Sequence, residues 1–106
     1  MANRSPKHQT AHDKGVRAEA RELNKKGWTV KADHLPKWPN PPKVNGRYPD
    51  VYATKNGNTR IVEIETSRTD DSSQHTSFRR HAGQKSNTQF YGRVVDRGGN
   101  RRQTFE

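Results

Sequence analysis

Two short strand-like segments split by a turn signal restrict this chain more than any other feature. Residues 59–65 end in Ile61-Val62-Glu63-Ile64-Glu65, the clearest strand pattern present. Tyr48-Pro49-Asp50-Val51-Tyr52-Ala53 reads as a second strand, and Lys55-Asn56-Gly57-Asn58 lies between them as a turn. Together they predict a hairpin. Pro49 has no N–H to give a ladder, so it marks a strand start or an edge. Apolar residues are only 25% of the 106 residues, enough for one modest core and one domain. A homodimer interface is one way to supply further burial.

Around the hairpin, residues 11–26 predict a helix, with Val16, Ala20 and Leu23 on one face. Gly15 weakens its start, and Gly27 is placed to stop it. Residues 28–32 alternate as a strand. Residues 33–47 hold four prolines and Asn45-Gly46, and read as a long loop. Trp38 inside it is either a base-stacking platform or a lid on the core. Residues 72–83 predict a second helix capped by Asp71 or Ser72, and residues 90–95 a last strand. Residues 1–10 read as a flexible basic arm and 96–106 as a basic tail, leaving an α/β domain over 11–95. The expected architecture is a mixed four-stranded sheet with flanking helices, in the order α-β-β-β-α-β.

The charge pattern narrows the function. Twenty-one Lys and Arg stand against eleven Asp and Glu, a formal charge of +10. Such an excess favours polyanions, because phosphate contacts release counterions. The charge is uneven. Residues 1–49 are net +7, residues 50–71 net −2 and residues 72–106 net +5. An acidic island between basic flanks suits a cation site set in a phosphate-binding surface. Arg17, Arg21, Lys43, Arg47, Arg79, Arg80 and Arg93 are the candidate phosphate contacts. The chain has no cysteine, so disulfides and thiolate metal sites are excluded, and an intracellular, cytoplasmic setting is expected. No apolar run reaches membrane-spanning length, and the N-terminus lacks a secretory apolar centre. No membrane partner is expected.

The hairpin gives the island a geometry. Asp50 stands near the start of one strand, and Glu63 and Glu65 lie two apart near the end of its partner. Residues two apart share a face. Antiparallel pairing then gathers three carboxylates at one end of the sheet. Their repulsion is relieved by a divalent cation, for which oxygen ligands suit Mg²⁺ or Mn²⁺. The competing reading leaves Glu63 and Glu65 on a solvated face, with Ile61, Val62 and Ile64 as core. Glu19, beside the apolar face of the first helix, is a further candidate carboxylate in preference to Glu22. His12 is either a site residue or a frayed surface histidine.

The order of elements, with Gly46-Arg47-Tyr48-Pro49-Asp50-Val51 followed by Ile61-Val62-Glu63-Ile64-Glu65, resembles the PD-(D/E)XK nuclease superfamily over His12 to Val95. Within it, the chain looks most like small archaeal and viral Holliday-junction-resolvase-like or restriction-endonuclease-like proteins. The resemblance implies a restriction-endonuclease-like core and metal-dependent hydrolysis of DNA, branched or junction DNA included. It implies Asp50 and Glu63 as catalytic metal ligands, with the backbone carbonyl of Ile64 as a third. It implies Glu19 as a ligand from the first helix and Gln74 as a polar neighbour of the site. The pattern expects lysine where this chain has Glu65. Lys55 in the turn and Lys85 after the second helix are the candidate replacements. Glu65 is then a ligand, a general base, or the mark of a module that binds nucleic acid without cutting it. A structural or protein-binding role is the third reading.

Overall fold

The computed structural model describes residues 6–33, 35–66 and 73–105. The elements are α1 (Pro6–Lys25), β1 (Thr29–Ala32), β2 (Val51–Lys55), β3 (Asn58–Glu65), α2 (Ser73–Gly83), β4 (Thr88–Val95) and β5 (Arg101–Phe105). The sheet has five strands in the order β1-β2-β3-β4-β5. β3 and β4 are parallel, and the other neighbours are antiparallel. α2 is the crossover that parallel strands require.

The β2–β3 hairpin forms where its sequence predicts one, but its first strand begins at Val51, not Tyr48, and runs on to Lys55. Asn56 and Gly57 both take positive φ, 51° and 81°, the two-residue turn that matches strand twist. Period-two alternation then splits β3 between two cores. Val62 and Ile64 join Val16, Ala20 and Leu23 of α1, whereas Ile61 joins Phe78 and Ala82 of α2. Glu63 and Glu65, in phase with Ile61, therefore belong to the α2 face. Trp38 packs against the α1-side core. That contact makes it a lid on the core, the second of its two predicted roles.

Two expectations change. α1 begins at Pro6, so residues 6–10 of the expected arm are helical, and residues 1–5 lie outside the described residues. Residues 101–105 are not a tail. They form β5 against β4, with Phe105 opposite Gly92, and the sheet has a fifth strand. Polarity hid this strand: an edge strand needs only its backbone groups paired on one side, and four of its five residues are exposed. The expected cap, Asp71 or Ser72, lies outside the described residues.

Gly15 is also reinterpreted. It lies within α1, and a Cβ there would meet Ile64 Cγ2 at 2.8 Å and Val95 Cγ1 at 3.1 Å. The missing side chain lets the helix lie close on the sheet. Gly15→Ala should therefore destabilise the protein by ~1–3 kcal/mol of overpacking, despite the ~1 kcal/mol alanine gains in a helix. Urea unfolding checks this, and a more stable variant would contradict it. At the other end of α1, Gly27 (φ 91°) closes the helix, with Trp28 N–H donating to Leu23 O and Gly27 N–H to Asn24 O.

Candidate metal centre

The register sets the site. Val51 pairs with Val62, so Asp50 and Glu63 face each other one step beyond, at the mouth of the hairpin. The Asp50 N–H donates to Glu63 Oε2 at 2.8 Å, and the Ile64 N–H donates to Asp50 Oδ2 at 2.9 Å. Each carboxylate is thus held by the other strand's backbone. Gln74, in the first turn of α2, donates to Glu63 Oε1 at 2.7 Å and to the Tyr48 carbonyl at 3.3 Å. Both Glu63 oxygens are oriented before any ligand arrives.

Next along β3, Glu65 Oε2 lies 3.1 Å from His75 Nε2. Ligand atoms of Glu63, Glu65 and His75 all lie within 4.8 Å of one another. Glu63 and His75 are buried, and Glu65 is partly open. His12 of α1 reaches the same end of the sheet, with Nε2 3.2 Å from Asp50 Oδ2. Burial pushes the Glu63 carboxyl well above the usual range, and the nearby Asp50 and Glu65 charges push it further. The hydrogen bonds from Asp50 and Gln74 oppose this without cancelling it.

His75 has no place in the sequence reading. Its only signal is its position beside Gln74 at the start of a helix that follows β3. Its ring is held by Phe90 and Phe105, at centroid distances of 6.1 Å and 5.4 Å.

Glu19 is not brought to this site by any described contact. It is buried beside β4, where it accepts from Tyr91 Oη at 2.7 Å, Arg93 Nε at 2.5 Å and Arg101 Nη2 at 2.9 Å. The reason is axial position: Glu19 is seven residues beyond His12, ~10.5 Å further along the helix. Burial, with Glu19 alongside, pushes the Tyr91 hydroxyl to about 12. Arg93, expected to contact phosphate, is committed to Glu19 and to Thr104 Oγ1.

Lys55 and Lys85 are placed at the wrong end of the sheet to replace a lysine at position 65. Lys55 Nζ donates to the Lys26 carbonyl at 2.6 Å, below the hairpin turn. Lys85 precedes β4, which runs parallel to β3, so it lies near the start of β3. The eight residues of β3 put ~23 Å between that end and Glu65. Of the remaining basic candidates, Arg17, Arg21, Lys43 and Arg80 are exposed, and Arg47 and Arg79 are half-buried. Lys43 lies over the exposed Tyr48 ring, two residues from Asp50. Arg17 and Arg21 belong to α1 and Arg79 and Arg80 to α2, on opposite faces of the sheet.

Among the described residues, no helix is long and apolar enough to cross a membrane. Compared with known proteins, the chain matches no family model and no curated protein.

Proposed function

We propose that this protein is a metal-dependent nuclease of restriction-endonuclease-like fold that hydrolyses DNA phosphodiesters, branched DNA included, in an intracellular setting. The observation that carries the reading is the acid group at the start of β2 and the end of β3. Asp50 and Glu63 are interlocked by backbone N–H donors to their carboxylates, and Glu65 and His75 adjoin them. All of this sits in a chain of net charge +10.

The donor set fits a divalent ion. The buried Glu63 carboxyl, with its raised proton affinity, is stabilised as carboxylate by a cation, and oxygen-rich sites suit Mg²⁺ or Mn²⁺. Asp50, Glu63, Glu65 and the Ile64 carbonyl are the residues that would hold it. When bound, such an ion would lower the pKa of an attacking water and supply a counter-charge for the phosphate. The protein does the rest. Gln74 and the Asp50 N–H hold Glu63 in one orientation, and the Ile64 N–H holds Asp50. Lys43 and the arginines of α2 supply phosphate contacts beside the site.

One observation favours a second reading, a module that binds nucleic acid without cutting it. Glu65 stands where the resemblance expects lysine, and neither Lys55 nor Lys85 is near enough to substitute. Incubating the protein with linear, nicked and branched DNA, with Mg²⁺ or Mn²⁺, separates the two. Cleavage supports the nuclease. Salt-sensitive binding with no cleavage in either metal supports the module.

The raised Glu63 carboxyl also sets a pH dependence. A glutamate whose folded pKa exceeds its unfolded value favours folding while protonated. That contribution is present below the unfolded pKa and is lost as pH rises towards the folded one. Metal binding needs the ionised form, so it displaces the proton. The rise in melting temperature on adding Mn²⁺ should therefore grow as pH rises through the Glu63 titration. Calorimetry over the acid-to-neutral range checks this, and a gain that is flat in pH would contradict it.

A further inference from the structure

We propose that His75 is itself a metal ligand, and that the centre therefore selects Mn²⁺ over Mg²⁺. This rests on the metal-dependent reading above and adds the identity of the ion. Two ligands of one ion at ~2.1 Å stand ~3 Å apart when adjacent and ~4.2 Å apart when opposite. The ligand atoms of Glu63, Glu65 and His75 lie within 4.8 Å of one another, and His75 Nε2 lies 3.1 Å from Glu65 Oε2. Small side-chain torsions close that gap.

The three ligands come from two elements that the fold itself locks together. Glu63 and Glu65 share the α2 face of β3, and His75 enters from the first turn of α2. The His75 side chain is 3% exposed. Phe90 lies on one neighbouring strand, and Phe105 arrives on β5. These aromatic contacts limit how far the imidazole can turn from Glu65. Gln74, the preceding residue, anchors Glu63 from the same helical turn. A nitrogen donor beside two carboxylates is a mixed set. Mg²⁺ prefers all-oxygen ligation and keeps its waters, whereas first-row transition dications accept imidazole readily. The glutamate at position 65 is also given a use, since a lysine there would put a positive charge against the ion that His75 helps to hold.

The test uses the full chain with each metal alone. Isothermal titration should give a Mn²⁺ affinity at least ~10-fold above that for Mg²⁺, and His75→Ala should shrink this ratio by ~10-fold by weakening Mn²⁺ chiefly. Electron-spin-echo spectroscopy of bound Mn²⁺ on the unaltered protein should show coupling to one ¹⁴N nucleus. That measurement needs no variant. His75→Gln, which can still donate to Glu65, covers the case in which His75→Ala misfolds; it should lose the ¹⁴N signal and keep its circular dichroism. If both metals bind, no ¹⁴N coupling is seen and the ratio survives His75→Ala, this inference falls and an all-oxygen metal site stands. If neither metal binds, the metal-dependent reading falls with it.

Discussion

Asp50→Ala should reduce DNA cleavage by at least ~10²–10³-fold, the scale of losing one group that stabilises developing charge. DNA affinity measured without metal should stay the same or rise slightly. The two effects diverge for an electrostatic reason. On the proposed nuclease reading, Asp50 would put a negative charge near the phosphate, which would repel DNA until a cation stands between them. The variant keeps the Asp50 N–H that orients Glu63, so the loss falls on the carboxylate and not on the hairpin. It does leave the Ile64 N–H without its partner. Asp50→Asn controls for that, because the amide oxygen can still accept from Ile64 while the charge is gone. Equal cleavage by Asp50→Asn and the unaltered protein would remove Asp50 from the chemistry. Gel-based cleavage and fluorescence-anisotropy binding, run on the same samples, give both quantities.

The second large effect concerns stability. Glu19→Ala should cost ~2–4 kcal/mol, because a buried carboxylate that accepts from Tyr91, Arg93 and Arg101 leaves all three short of a partner. The figure is below that for a fully buried pair, since the Arg93 and Arg101 side chains are 17% and 36% exposed and are screened by water. Arg101 also pairs with Glu22, which retains part of the contact. The network joins α1 to β4 and β5, so its loss should loosen the C-terminal strand first. Hydrogen exchange in residues 101–105 should accelerate more than in β2 or β3. Metal affinity should be unchanged, which separates Glu19 as a structural acid from Glu19 as a ligand. A Glu19→Ala protein of normal stability with weakened Mn²⁺ binding would reverse the assignment.

The hairpin, the Gly27 stop and the acidic island were legible in the residues because each is local. Asn56-Gly57 demands positive φ, Gly27 tolerates it, and strand alternation puts Glu63 and Glu65 on one face whatever lies around them. Even the opposition of Asp50 and Glu63 follows from a two-residue turn, which leaves the register no freedom. The second helix and the last long strand were legible too, with boundaries two residues out at most.

What the sequence did not determine is which distant side chains meet that group. Helical phase placed Glu19 and His12 both near the apolar side of α1, but only the docking of α1 on the sheet fixes axial position. That puts His12 at Asp50 and Glu19 two turns away at Arg93. His75 reaches Glu65 because α2 must cross back over the sheet to start a parallel strand, which brings its first turn to the end of β3. The same crossover puts Lys85 at the opposite end from Glu65. β5 was hidden because its stability comes from backbone pairing with β4 and from Phe105 packing on His75, neither of which leaves an apolar period. Spacing along the chain determined the hairpin carboxylates Asp50, Glu63 and Glu65, through contacts a few residues long. Tertiary packing decided where His12, Glu19 and His75 lie, through contacts that depend on where whole helices sit.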